Sequence, residues 1–191
     1  MQIVLMRHGR PAIDTTQWLN ARDFGAWVER YEAAAIDPAY PPPATAIEQA
    51  RQAAYLLCST LPRSLSSANA LGMETPDGHD AAFREMEMPS ADWRYPMLPV
   101  TAWAVLFRLA WTFGYHRDTE SFTAAKARAD DCADVLARLA VAHGKVLFIG
   151  HGTLNWFIAR ALRRAGWHSP DKAARHHWQS AIFSRTTPQS P

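Results

Sequence analysis

The segment Gln2-Ile3-Val4-Leu5-Met6-Arg7-His8-Gly9 decides how the rest of this 191-residue sequence is interpreted. Residues 2–6 form a continuous apolar run, which predicts a strand buried on both faces of a sheet. The same pattern returns where the apolar run Val146–Ile149 leads into Gly150-His151-Gly152. In both places a predicted buried strand ends and a histidine beside a glycine follows it.

Helical patterns alternate with apolar strands along the chain and predict an α/β fold with a largely parallel sheet. Tyr55–Cys58 predicts a second strand, Ala81–Phe83 a short third strand and Ala181–Phe183 an edge strand. Residues 10–43 are expected to be irregular and partly helical. Helices are expected over about 44–54, 62–72, 120–142 and from a cap at Thr153 to about Arg164.

Composition excludes several classes of protein. The net charge of +2 is too balanced to indicate nucleic acid or an anionic membrane surface as a partner. Cys58 and Cys132 give no disulfide framework and favour a reducing compartment. The apolar stretch at about 98–113 contains a proline and an arginine and is shorter than the roughly 20 residues of a spanning helix. We therefore expect a cytoplasmic protein with neither nucleic acid nor membrane as a partner.

Histidines and arginines at strand ends predict a phosphate site. In open α/β sheets, ligands bind at the carboxyl ends of strands, so His8 and His151 can converge on one crevice. Arg63 lies in the first turn of a predicted helix, where a cation is disfavoured unless an anion is near. A phosphate would satisfy Arg63 and the free N–H groups of that helix together. One strand-end histidine is more often a turn residue. Four residues placed in this way, Arg7, His8, Arg63 and His151, indicate a phosphate pocket that holds a nucleophile.

The sequence resembles the histidine phosphatase superfamily, whose fold is like that of phosphoglycerate mutase. Leu5–Gly9 is similar to the opening motif of the family, and Ser59–Leu65 to its second-arginine motif. Phe83-Arg84-Glu85, Thr119-Glu120-Ser121 and Ile149–Gly152 follow in the order that the family has. The resemblance covers the chain from residue 2 to about 183.

The resemblance implies a three-layer α/β/α fold with a mostly parallel central sheet, in a single domain over residues 1–191. It implies that His8 attacks phosphorus and carries a phosphohistidine, with its other ring nitrogen held by a backbone carbonyl. The residues that would bind the phosphate are Arg7, Arg63, His151 and Gly152. This scheme requires no metal and no cofactor.

The resemblance also implies an acid. Glu85 would protonate the leaving oxygen and then deprotonate the attacking water. Glu87 is the alternative, since it lies two residues further on and on the same face if the segment is extended. Motif position favours Glu85.

Several positions depart from the family pattern. Pro11 stands where a hydroxyl or an acid is usual, and Asp14 stands where many members have an asparagine that contacts phosphate. The usual Gly-x-Trp-x-Gly after the acid is missing, and a Trp-rich helical segment at about 89–117 replaces it. This segment could pack on the core or form a homodimer interface. Alternatively, it could form an aromatic wall that selects an apolar or ring-bearing phosphate ester.

Three histidines near the C-terminus complete the candidates. His168, His176 and His177 are expected to be solvated loop residues and not a zinc site, because no cysteine or acid stands at ligand spacing.

The first hypothesis for function is hydrolysis of a small phosphomonoester. The substrate would be a small phosphorylated metabolite. The alternatives are a phosphoglycerate-mutase-type phosphotransferase and a non-catalytic phosphate-binding or scaffold protein. The presence of both histidines, both arginines and a candidate acid favours catalysis.

Overall fold

The computed structural model describes residues 1–171 and 174–186. A five-stranded sheet and a two-stranded sheet form in this part of the chain. The strands are β1 (Gln2–Arg7), β2 (Trp18–Leu19), β3 (Tyr55–Ser59), β4 (Gly78–Asp80), β5 (Leu98–Pro99), β6 (Lys145–Gly150) and β7 (Ser180–Ser184). The helices are α1 (Ala21–Ala33), α2 (Ala44–Arg51), α3 (Pro62–Ala70), α4 (Val100–Thr112), α5 (Phe122–His143) and α6 (Gly152–Arg164).

The larger sheet has the strand order β4-β3-β6-β1-β7. Strands β4, β3, β6 and β1 are parallel, and β7 pairs antiparallel with β1. Arg7 is level with Gly150, and Cys58 pairs with Ile149. The residues that follow β1, β3 and β6 therefore emerge at the same edge of the sheet.

Alternation along the strands separates two buried layers. Ile3 and Leu5 share a cluster with apolar residues of α5 and α6, whereas Val4 and Met6 share one with alanines of α2 and α3. Successive side chains of a strand point to opposite faces, so helices cover both sides of the sheet. This is the expected α/β/α fold with a mostly parallel sheet.

A third cluster joins α1 to the Trp-rich segment. Phe24 and Trp27 of α1 pack against Trp103 and Phe107 of α4. Trp103, Phe107 and Trp111 recur at the spacing of one helix face and are buried, whereas Phe113 is exposed. Trp103 and Trp111 therefore pack in the core, as the first of the two interpretations expects. Within the stretch 10–43, which was expected to be irregular and partly helical, α1 is a regular helix.

Three element predictions were wrong. Ala81–Phe83 is a 3₁₀ helix, because the Asp80 carboxylate accepts a hydrogen bond from the Ala82 N–H and caps it; the strand is Gly78–Asp80. Helix α2 ends at Arg51 and does not reach Ala54, since Gln52 is already its C-cap. The N-cap of α6 is His151 and not Thr153. In the described part of the chain, no helix has the length and apolar content needed to cross a membrane.

Candidate active site

His8 and His151 lie side by side at the carboxyl edge of the sheet. Each histidine directly follows its strand, and their ring centroids are 5.1 Å apart. Both rings are buried, with 1% of His8 and none of His151 exposed. The register of the parallel strands thus brings together two histidines that are 143 positions apart in the sequence (151 − 8).

The ring of His8 is oriented by its own neighbour. Its Nδ1 lies 2.7 Å from the carbonyl oxygen of Gly9, which can only accept, so Nδ1 carries the hydrogen and Nε2 carries a lone pair. This is the expected contact with a backbone carbonyl. Burial, followed by the nearby His151 and Arg63, holds the pKa of His8 well below its ordinary value. The neutral form therefore dominates at pH 7, as a nucleophile requires.

The ring of His151 is held by a hydrogen bond with Ser59. Its Nε2 lies 2.7 Å from the Ser59 hydroxyl, whereas its buried Nδ1 has no hydrogen-bond partner. Burial, then Arg63 and Arg7, keeps the pKa of His151 well below its ordinary value. In the absence of an anion this ring is thus neutral. The sequence analysis included Ser59 in the second-arginine motif but gave it no role, although its place at the end of β3 was a usable signal.

Arg63 is held against the C-terminal end of helix α1. Its guanidinium lies 4.7 Å from the ring centroid of Tyr31, and its Nη1 donates to the Tyr31 carbonyl over 3.1 Å. The residue is 1% exposed, and its Nε has no partner. Arg63 thus uses part of its donor set on the C-terminal end of α1 and retains Nε for another acceptor.

Arg7 reaches the same place from β1. Its Nη1 donates to the carbonyl oxygen of Arg175, and its buried Nε has no partner. Gly152 lies beside this guanidinium, because a Cβ added there would be 3.5 Å from Arg7 Cζ. A side chain at Gly152 would therefore occupy space next to the cation.

Glu85 is positioned by the start of α6. Its carboxylate accepts hydrogen bonds from the N–H groups of Thr153 at 3.1 Å and Leu154 at 2.9 Å. It also accepts from the Met86 N–H at 2.9 Å. The first turn of a helix is a favourable place for a carboxylate. Glu85 is therefore held near Arg7 and Gly152.

Glu87 is used elsewhere. Its two oxygens accept from Arg84 Nη2 at 2.8 Å and from the Glu120 N–H at 2.5 Å. Hydrogen bonding and the charge of Arg84 lower the pKa of Glu87 in spite of the opposing effect of burial. The structure thus brings Glu85, and not Glu87, together with the other candidates.

His177 contradicts the expectation that it is a solvated loop residue. Its ring centroid lies 5.3 Å from that of His8, and its Nδ1 lies 3.1 Å from the His8 carbonyl oxygen. Burial, then the charge of Arg7, lowers the pKa of His177 to about 4. No local sequence signal pointed to this contact, which depends on the path of the chain before β7. The described residues include no cluster of acids, histidines and cysteines suited to a metal ion.

Asp14 does not face the candidate phosphate site as an unpaired anion. Its carboxylate accepts hydrogen bonds from the N–H and hydroxyl of Thr16, at 2.8 and 2.7 Å. These bonds lower the pKa of the exposed Asp14. The carboxylate of Asp14 is therefore part of a local turn with Thr16.

Two cavities open from this cluster, and both are lined by Arg7, Glu85 and Thr153. The first, here named the basic cavity, has a volume of about 630 Å³. Its remaining lining residues are Gly152, Trp156, Arg163, Ala174 and Arg175. The second, the apolar cavity, has a volume of about 530 Å³ and lies between α1 and α4, with Arg63 in its lining.

A three-layer fold with two histidines directly after its strands, and two arginines beside them, is typical of the histidine phosphatase class. The model of the histidine phosphatase superfamily, branch 1, matches residues 3–187. The chain belongs to this family.

Solved structures share the fold. A mycobacterial glucosyl-3-phosphoglycerate phosphatase is 20% identical, over 85% of this chain and 79% of that one, with a TM-score of 0.55. A second structure, of mycobacterial hydrolase 1, is 18% identical over 99% and 92%, with a TM-score of 0.60. A protein from Thermus thermophilus is 17% identical over 95% and 92%, with a TM-score of 0.55. No curated protein matches the sequence.

Proposed function

We propose that this protein is a phosphatase that hydrolyses a small phosphomonoester through a phosphohistidine on His8. One observation carries the proposal. Three buried donors, Arg7 Nε, Arg63 Nε and His151 Nδ1, lack partners. Buried donors without a partner are costly, and an anion of tetrahedral shape would satisfy several at once.

In the first step, Nε2 of His8 attacks phosphorus and forms the N–P bond, while the bond from phosphorus to the ester oxygen breaks. Arg7, Arg63 and His151 stabilise the charge on the three equatorial oxygens, which is the main electrostatic task of phosphoryl transfer. Glu85 gives a proton to the leaving oxygen, so the product is a neutral alcohol.

In the second step, water attacks the phosphohistidine. Glu85 takes one proton from that water as the new P–O bond forms, and the N–P bond breaks to release inorganic phosphate. Having given up its proton in the first step, Glu85 is a carboxylate that can accept this one, and the N–H groups of Met86, Thr153 and Leu154 hold it in place.

Phosphate binding also requires an exchange of partners. Arg7 Nη1 donates to the carbonyl of Arg175 in the structure. A phosphate oxygen is a stronger acceptor than a carbonyl, because the resulting hydrogen bond is charge-assisted. We expect Arg7 to turn from Arg175 to the substrate.

The test is phosphate release over a broad panel of metabolites, combined with trapping of an acid-labile phosphoenzyme. The proposal expects release without a bisphosphate primer, and His8→Ala should abolish both signals. His79→Ala is the matched control, since His79 is an exposed histidine outside the cluster.

Two outcomes contradict the proposal. A mutase would need a bisphosphate primer and would release little phosphate. A scaffold protein would bind inorganic phosphate and form no phosphoenzyme with any ester.

A further inference from the structure

We propose that the apolar cavity binds the alcohol part of the substrate, so that the preferred substrate is the phosphomonoester of an apolar alcohol or phenol. This inference rests on the proposed function, because it names the substrate class of the same site. Either of the two cavities could hold the alcohol part of the ester while its phosphate is bound beside His8.

A row of aromatic rings begins beside Arg63. The Tyr31 ring lies against the guanidinium of Arg63, with 4.7 Å from Cζ to the ring centroid. Trp27 stacks on Tyr31 at 5.2 Å and Phe24 on Trp27 at 5.9 Å, and all three rings line the apolar cavity. An ester whose phosphate contacts Arg63 would therefore have its organic part beside these rings.

Two polar groups of this lining are already in use. Trp27 Nε1 donates to the Asp14 carbonyl at 2.9 Å. The guanidinium of Arg108, also in the lining, donates to the carbonyls of Met86 and Glu87 at 3.1 Å each. A hydroxyl of the leaving group that faced these occupied donors would lose its water without gaining a partner, which costs affinity.

The lining of the apolar cavity also includes the charges that the reaction needs. Glu85 and Arg7 lie there with Arg63, and Glu32 is the other carboxylate in the lining. Thr15 and Thr101 are further hydroxyl residues of the lining. Apart from these residues and Arg108, the lining is mostly aliphatic or aromatic, so a few charged groups stand in an otherwise apolar site, as in many ligand sites.

The opposite wall is formed by α4. Val105 and Leu109 line the apolar cavity and yet are 59% and 53% exposed. Exposed aliphatic side chains at a cavity mouth lose water when an apolar group covers them, which stabilises the complex.

The basic cavity fits such a group less well. Arg163 donates to the carbonyl of Asp171 at 2.7 Å, and its guanidinium lies 5.1 Å from the ring centroid of Phe183. With Arg7 and Arg175 it makes three cations among the eight lining residues of this cavity, which suits a second anionic group better than a hydrocarbon.

A homologous series of esters tests the inference. We would measure kcat/KM for ethyl, butyl, hexyl and octyl phosphate, phenyl phosphate, glycerol phosphate and a sugar bisphosphate. The expected rise is about fourfold for each added methylene until the cavity is filled. The kcat/KM for phenyl phosphate should exceed that for glycerol phosphate.

Two neighbouring variants localise the effect. Val105→Asn should reduce the rise per methylene, because Val105 lines the apolar cavity. Leu106→Asn is the matched control and should keep the wild-type rise, since Leu106 is 47% exposed on the same helix but does not line the cavity. An equal effect of both variants would overturn the assignment.

Binding of non-hydrolysable alkylphosphonates, measured by calorimetry, separates this inference from the proposed function. If no ester is hydrolysed but phosphonate affinity rises with chain length and falls in Val105→Asn, the proposed function fails and the cavity assignment stands. If esters are hydrolysed without dependence on chain length, the assignment fails alone. A preference for the bisphosphate that Arg163→Gln removes would also overturn it and assign the leaving group to the basic cavity.

Discussion

The hydroxyl of Ser59 determines which nitrogen of His151 carries a hydrogen. Ser59 Oγ lies 2.7 Å from His151 Nε2 and 3.3 Å from the N–H of Leu61. The Leu61 N–H can only donate, so His151 Nε2 is the one recorded partner of the Ser59 hydroxyl that can accept its hydrogen, and Ser59 donates to it. The neutral His151 is then protonated at Nδ1, the nitrogen that has no partner in the protein.

Ser59→Ala should therefore impair catalysis while leaving the phosphate-binding arginines in place. Without the hydroxyl, the ring of His151 loses the hydrogen bond that fixes its tautomer. One neutral hydrogen bond corresponds to about fivefold in kcat/KM, and the loss should fall mainly on kcat. Ser59→Thr, which retains the hydroxyl, should recover part of the activity. A change confined to KM would contradict this role.

Glu85→Gln should discriminate between substrates by their leaving groups. A glutamine accepts hydrogen bonds but cannot supply the proton, so an alkyl phosphate should lose about 100-fold in kcat/KM. p-Nitrophenyl phosphate should lose much less, because its phenolate leaves without a proton. Glu87→Gln is the control, and we expect equal losses on both substrates. The reverse pattern would identify Glu87 as the acid.

The stability of the protein should decrease in acid. The pKa values of His8 and His151 lie well below the ordinary value, and that of His177 is about 4. Between about pH 6.5 and 4 the unfolded chain therefore binds more protons, and the free energy of unfolding falls as the pH falls. Urea unfolding at about pH 7.5, 6 and 5 measures this, and His177→Gln should reduce the slope. The exposed His79 provides the control, His79→Gln.

The arrangement of the strands and their terminal residues was predictable because it is local. A continuous apolar run followed by a histidine needs only a window of a few residues, as in Gln2–Gly9 and Lys145–Gly152. Arg63 was found in the same way, from its place at the start of a helix.

The surroundings of the histidines were not predictable, because they join distant parts of the chain. His177 and His8 are 169 positions apart, and Glu85 is held by N–H groups of Thr153 and Leu154 that carry no side-chain signal. Backbone donors and carbonyls are nearly the same in every residue. Only the fold decides which of them face the site.

Gly9→Ala should destabilise the site through Trp178. A Cβ at Gly9 would lie 2.4 Å from Trp178 Cζ2, and this ring is held by a hydrogen bond to the Tyr40 carbonyl at 3.2 Å. Overpacking of this kind costs about 1–3 kcal/mol. Urea unfolding measures the cost, and the double variant Gly9→Ala with Trp178→Leu should show a smaller one than the sum of the single variants. Additive effects would mean that the two residues do not clash.

Trp111→Ala should affect stability and not substrate preference. The side chain is 1% exposed, its Nε1 donates to the Glu120 carbonyl at 2.8 Å, and its ring contacts Phe122 and Phe157. Its removal should cost about 3–5 kcal/mol in the free energy of unfolding. Trp18→Ala should cost less than about 0.5 kcal/mol, because Trp18 is 62% exposed. Since Trp111 does not line the apolar cavity, the ratio of rates on aryl and sugar phosphates should stay at the wild-type value. A changed ratio in a variant that is still folded would place Trp111 in the substrate wall and contradict its role in the core.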